Sequence, residues 1–387
     1  QAVTMTAREL PPRGVSRITG LDIARGLAIL GMFAAHVLLH DEFDWATPAS
    51  WVGVVDGRSA ATFAVLAGVS IAIISGGMSP ATGRALSSAR VRIVVRAGLI
   101  FVLGVVLTSL ETNIYIILEY YAVMFVMALP VLRWSPRLLF TVAGVLAVTA
   151  PVAQIVLTRV AGEAGVALYA PVFYLVTGHY PAIVWIVFVL VGVGIGRLPL
   201  RETGTAVRML VVGVGLAVIG YTLGAIAAAL APAGSQEMGP GDLVAGDGLF
   251  DLTPLLTALP HSGSPFELVG AVGFAVALIA LCLLAARPLR VVLIPIAATG
   301  SMALSAYTAQ IVALAIIGDG YWQFGNNNAG LYLALALGTL IACTVWARVI
   351  GRGPLERLLS WLSTRAATTT SGTGDTRDDE SASVHRR

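Results

Sequence analysis

Residues 206–231 read AVRMLVVGVGLAVIGYTLGAIAAALA, twenty-six residues with one charge, Arg208. A helix of that length is ~39 Å long, and roughly 20 apolar residues cross a bilayer core. A segment alone in lipid must satisfy its own backbone donors and acceptors, which a helix does. Working outward, nine more such runs lie near 18–40, 52–76, 93–110, 113–132, 137–158, 181–197, 264–286, 293–318 and 328–348. They are continuous and rich in Ala, Leu, Val and Gly, which disfavours a β-barrel of alternating strands. The run 113–132 is the weakest, because it contains Glu119.

Composition agrees. Of 387 residues, 57% are hydrophobic and 12% charged. The charged share is about half of the ~25% usual in soluble domains. Mean hydropathy is +0.86. A soluble globular domain, a disordered chain and a disulfide scaffold are all excluded. The expected fold is an all-α polytopic integral membrane protein with about ten transmembrane helices. All 24 basic residues are arginine, so a lysine Schiff base is excluded as well. Cys282 and Cys343 lie far apart inside apolar runs and read as small hydrophobes.

The arginines fall on alternate loops. They occur before the first run (Arg8, Arg13, Arg17), after the second (Arg84, Arg90, Arg92, Arg96) and after the fourth (Arg133, Arg137). They recur after the sixth (Arg197, Arg201, Arg208), after the eighth (Arg287, Arg290) and near the C-terminus (Arg348, Arg352, Arg357, Arg365). The intervening loops carry only Arg58 and Arg159 and are otherwise acidic. Positive-inside bias then puts both termini on the cytoplasmic side, and an odd number of spans breaks the pattern. Residues 1–17 read as a cytoplasmic lead-in and 18–350 as the transmembrane domain. Residues 351–387 read as a cytoplasmic C-terminal segment, disordered from about 366, where Thr, Ser, Gly and Asp dominate.

An ionisable side chain in hydrocarbon costs at least ~2.5 kcal/mol, so each one needs a reason. In LDIARGLAILGMFAAHVLLH (21–40), Asp22, Arg25, Ile29, Met32, His36 and His40 share one face. Arg25 and His36 are eleven residues apart, ~16.5 Å along a helix. Two zones follow. The inner zone holds Asp22, Arg25, Arg92 and Arg96, and arginine suits phosphate. The outer zone holds His36, His40, Asp56, Arg58, Glu119, His179, Tyr180, His261, Tyr307 and Gln310. Histidines and carboxylates there suit acid–base work. His36 and His40 have the i, i+4 spacing of helical metal ligands, but no third ligand follows nearby and no metal is expected. GVGIG at 192–196 sits mid-helix with no preceding strand, so it reads as close helix packing.

The stretch LDIARGLAILGMFAAH resembles the first helix of transmembrane acyltransferases. In the acyltransferase-3 group an Arg and a His separated by ten residues form the signature, and Arg25 and His36 match it. SWVGVVDGRSAATFAVLAGVSIAI looks like the second helix of heparan-alpha-glucosaminide N-acetyltransferase and its bacterial relatives. GHYPAIVWIVFVLVGVGIGR, HSGSPFELVGAVG, GSMALSAYTAQ and RGPLERLL are similar to YeiB-like membrane proteins. The resemblance implies transfer of an acyl group from cytosolic acyl-CoA to an acceptor outside, with a histidine on the outer side as the catalytic group. The family places that His before an ASW motif, whereas this chain has Pro48 before Ala49, Ser50 and Trp51. His36 is the natural substitute, with His40 second.

The expected function is therefore a membrane acyltransferase of the cell inner or plasma membrane. His36 would act as base, with Asp56 or Glu119 orienting it. Glu119 has a second reading, as a partner for Arg58. Arg25, Arg92 and Arg96, with Asp22, would hold the phosphates of acyl-CoA, acetyl-CoA in the simplest case. Arg58, His179, Tyr180, His261, Tyr307 and Gln310 would meet the substrate. Expected partners are membrane lipids, acyl-CoA and an extracytoplasmic glycan or lipid acceptor, with no nucleic acid; a homo-oligomer is left open. The alternatives are a proton-coupled small-molecule transporter and a membrane partner protein whose catalysis has lapsed.

Overall fold

A computed structural model describes residues 17–38, 46–231, 251–318 and 328–372. The helices are α1 (Thr19–Val37), α2 (Arg58–Ile74), α3 (Gly83–Thr108), α4 (Leu118–Met127), α5 (Pro136–Glu163) and α6 (Ala182–Ile195). They continue as α7 (Thr203–Leu230), α8 (Pro265–Ala285), α9 (Ile294–Ser301), α10 (Ala303–Ile317), α11 (Ala329–Val349) and α12 (Pro354–Gly372). No strand occurs among the described residues. Local chemistry sets several ends. Ser135 and Ser264 cap α5 and α8, accepting from the Leu138 and Glu267 N–H groups, each with proline at the next position.

Among the described residues, seven helices are long and apolar enough to cross a membrane, or nine if two bent pairs each count as one span. This differs from ten straight spans in three places. The run 113–132 holds only the ten-residue α4. Ala170–Thr177 joins α6 at a bend of 62°. The run 293–318 breaks at Met302 into α9 and α10, bent by 84°. The last break has a visible cause. Glu356 of α12 accepts hydrogen bonds from the Leu304 and Ser305 N–H groups (2.8 and 3.1 Å) and the Ser305 hydroxyl (2.6 Å). A carboxylate from another helix thus caps the start of α10. The same helix, α12, reaches Gly372, so the first residues of the stretch expected to be disordered from about 366 are helical.

Helices α1, α2, α6 and α8 supply about half of the buried apolar core. Helices α3, α5, α7 and α11 turn large side chains outward, including Val102, Val148, Val211, Leu223 and Ile341. Contiguous apolar surface on that scale belongs in lipid. The inner helices cross through glycine. A Cβ at Gly192 would lie 1.9 Å from the Val65 carbonyl oxygen, and one at Gly300 would lie 1.8 Å from that of Asp22. GVGIG is close packing, as read.

Arg197, counted in the sequence only as a loop charge, is buried. Its guanidinium donates to the carbonyls of Ala72, Gly77 and Leu132 and to the Ser75 hydroxyl at 2.9 Å. It ties the ends of α2, α4 and α6 together. We expect Arg197→Gln to lower stability by roughly 3 kcal/mol, because buried carbonyls lose a charged donor. Arg197→Lys should not restore it, since an ammonium cannot reproduce the planar fork. Thermal unfolding of the purified protein checks this; a lysine variant melting with the wild type would refute it.

Candidate functional site

A cavity of about 390 Å³ opens at the end of α1 that carries His36. Its wall is assembled from distant segments: Met32 and His36 of α1, Asp56 and Gly57 before α2, Asn113 and Tyr115 before α4, Tyr180 before α6, His261 before α8, and Tyr307 of α10. Gly57 (φ +64°) makes the turn that sets Asp56 at the rim, and a Cβ there would crowd Pro260 at 3.2 Å. Glycine adopts this conformation without steric cost.

His36 is anchored from behind. Its Nδ1 lies 3.2 Å from Gln310 Oε1, and its ring meets Tyr307 edge-on at 6.5 Å. An amide oxygen accepts, so this contact selects the Nδ1–H tautomer and leaves Nε2 as the basic nitrogen. The partner is thus Gln310, not Asp56 or Glu119 as expected. Gln310 is buried and does not line the cavity. Its Nε2 has no hydrogen-bond partner among the described residues.

His261 sits on another wall. Its backbone is left-handed (φ +63°), and its ring stacks on Trp185 (5.9 Å) and meets Tyr180 edge-on (5.4 Å). Glu267 holds the turn, accepting from the N–H groups of His261 (2.8 Å) and Gly263 (2.7 Å) and from the Ser262 hydroxyl (3.4 Å). Burial, with His179 and His36 adding, pushes the His261 pKa down to about 4, so the ring is neutral at physiological pH. Burial raises Tyr180 and keeps it a phenol. His179 is lowered by burial and stacks on Tyr115 at 3.4 Å.

Removing Glu267 leaves two backbone donors without an acceptor, each costing roughly 1–3 kcal/mol when buried. Glu267→Ala should melt well below the wild type and Glu267→Gln between them, as thermal unfolding would show. An alanine variant as stable as the wild type would mean that the turn holds itself.

Other expected residues lie elsewhere. Glu119 is buried against Gly104 of α3, bonded to the Thr108 hydroxyl at 3.1 Å, and is not on the wall. Nor is it the partner of Arg58, which donates to Tyr221 Oη at 2.8 Å and to the Gly53 carbonyl at 3.1 Å. His40 lies outside the described residues. At the other end of α1, Asp22 accepts from Arg17 and from Arg25 Nη1 (2.9 Å), and Arg25 also reaches the Ser70 hydroxyl at 2.9 Å. Arg96 donates to Ser363 of α12 at 3.3 Å and feels the charges of Arg92 and Arg352. The sequence reading missed Asn113 and Tyr115. The polar pair Thr112–Asn113 was the available signal that the run from 113 begins as an entrance, not as helix.

The family model described as heparan-alpha-glucosaminide N-acetyltransferase, catalytic, matches residues 17–223, more than half of the 387-residue chain. The chain belongs to that family. A second model, described as protein of unknown function (DUF418), matches residues 251–366. No curated protein matches the chain. With its apolar helices, the chain is a multi-pass membrane protein of an acetyltransferase-type family. The cavity draws on both matched regions: His36, Asp56 and Tyr180 come from the first, His261 and Tyr307 from the second.

Proposed function

We propose that the protein is an acyltransferase of the cell inner or plasma membrane. It takes an acyl group, acetyl in the simplest case, from cytosolic acyl-CoA and passes it to a hydroxyl or amine of an extracytoplasmic glycan or lipid. The observation that carries this reading is the His36–Gln310 contact beside a cavity rich in polar side chains. His36 Nε2 takes the proton of the acceptor nucleophile as it attacks the thioester carbonyl. Tyr307 and Tyr180 are phenol donors for the tetrahedral oxyanion. As the intermediate collapses, the C–S bond breaks and the thiolate takes the proton from His36. Asp56 and His261 contact the acceptor, with Arg58 and His179 behind them. His40 is the second candidate base.

Arg25, Arg92 and Arg96 are the proposed phosphate ligands for the donor, and Asp22 holds Arg25 in place. Arg25 lies ~16.5 Å from His36 along α1, a distance that a pantetheine arm covers. In proteoliposomes, label from acetyl-CoA supplied on one face should appear in acceptor on the other.

The two bent helix pairs favour a second reading, a proton-coupled transporter, because broken helices build transport sites. Uptake driven by a substrate gradient, without any dependence on acyl-CoA, would decide for it.

A further inference from the structure

We propose that an apolar cavity between α5, α6, α7 and α8 binds an anionic phospholipid, with one acyl chain along it and the headgroup phosphate on Arg208. The cavity measures about 640 Å³. Close helix pairing sets its shape. A Cβ at Gly194 of α6 would lie 2.6 Å from the Phe140 ring of α5, and one at Gly213 of α7 would lie 2.8 Å from the Gly273 carbonyl oxygen of α8. So α5 packs tightly on α6 and α7 on α8, and the cavity runs between the two pairs.

Its lining is a groove along the helices. Val187, Val191 and Ile195 of α6 recur every fourth residue, as do Leu268, Val272 and Val276 of α8, so each helix gives one continuous stripe. On α7 the lining runs from Thr205 to Leu216, eleven residues on, ~16.5 Å along the helix. Half of a ~30 Å hydrocarbon core is ~15 Å, the depth of the chains in one leaflet. A groove of that length takes a chain from a single leaflet. Among the lining residues only Thr205 and Arg208 have polar side chains, and both lie at one end, in the first two turns of α7. A long apolar channel with a cation at its tip is the complement of a phospholipid.

Arg208 is exposed, and among the described residues its side chain makes one long hydrogen bond, from Nη2 to Thr205 Oγ1 at 3.4 Å. No carboxylate lines the cavity. A guanidinium meets a phosphodiester with paired hydrogen bonds while its aliphatic stem lies on the apolar wall. One phosphate balances this single cation. The choline of a zwitterionic headgroup would find no anion in the lining, and this selects an anionic lipid. Arginine at this end also serves orientation in the membrane, but that role needs no groove beside it. The groove shares no residue with the His36 cavity, and none of Asp22, Arg25, Arg92 and Arg96 lines it, so the site does not rest on the proposed reaction.

The test uses the full chain reconstituted with equal parts phosphatidylglycerol and phosphatidylcholine. After re-extraction into detergent, native mass spectrometry counts the lipids retained and gives the mass of the oligomer. Two variants probe the two parts of the site. Arg208→Gln removes the cation. Gly144→Leu fills the groove, because Gly144 lines it and nothing lies within 4 Å of a Cβ added there. The controls are Arg90→Gln on α3 and Gly215→Leu on α7. Neither position lines the groove, and Gly215 has the same open space around its added Cβ. Thermal unfolding shows that each variant is folded.

The wild type should keep a phosphatidylglycerol in preference to phosphatidylcholine. Arg208→Gln should weaken that retention about tenfold, from the lost charge-assisted contact, and remove the preference. Gly144→Leu should lose both lipids, and both controls should match the wild type. If one variant does not fold, the other decides with its own control. No lipid retained by the wild type, equal retention of the two lipids, or retention unchanged in a folded variant overturns the proposal. So does a dimer that carries no lipid.

Discussion

Replacing His36 with alanine should lower the turnover of acyl transfer about a thousandfold, within the range of general-base catalysis, and should leave the KM for acyl-CoA nearly unchanged. His36 sits at the α1 end that lines the cavity, while the proposed donor ligand Arg25 lies near the other end, so donor binding and proton transfer should separate in the kinetics. The ring's orientation rests on one hydrogen bond to Gln310. Gln310→Leu should therefore reduce turnover by about tenfold, less than loss of the base itself. Added imidazole should restore part of the His36→Ala activity, which a merely structural histidine would not allow. Full acyl transfer by His36→Ala in proteoliposomes would end this mechanism.

The second large effect concerns the α2–α6 crossing. Gly192→Ala should yield little folded protein. The added Cβ would meet the Val65 carbonyl oxygen at 1.9 Å, the Val65 carbonyl carbon at 2.8 Å and Gly68 Cα at 2.9 Å. All three are backbone atoms, so no rotamer change can relieve the clash, and two buried helices must separate. Overpacking of a core costs typically 1–3 kcal/mol, and this position belongs at or above the upper end. Gly215→Ala on α7 is the control. Nothing lies within 4 Å of its added Cβ, and alanine is the better helix former by roughly 0.5–1 kcal/mol. Gel filtration and thermal unfolding would show the contrast. Gly192→Ala melting with the wild type would mean that the crossing is looser than drawn.

The helices were legible because each is coded by its own residues. A long apolar run must satisfy its backbone within itself, and that requirement reads directly from 206–231 or 264–286. The ends of α5 and α8 were coded locally as well, by serine followed by proline. His36 stood out because a histidine in hydrocarbon needs a reason. What could not be read were the features made by contact. The break at Met302 lies in an apolar run and is capped by Glu356, some fifty residues later. Arg197 looked like one loop charge among many until its four partners from other segments gathered round it. Glu119 and Asp56 were both reasonable partners for His36, but the contact fell to Gln310, nearly three hundred residues away.

By itself, then, the sequence determined that this chain lives in a membrane as a bundle of helices and that histidine sits within it. Hydrocarbon imposes those conditions on each segment separately. Only the tertiary structure decided which polar groups face one another, because a hydrogen bond or a shared cavity depends on how the helices pack. Depth along α1 could be counted in residues; the neighbours found at that depth could not.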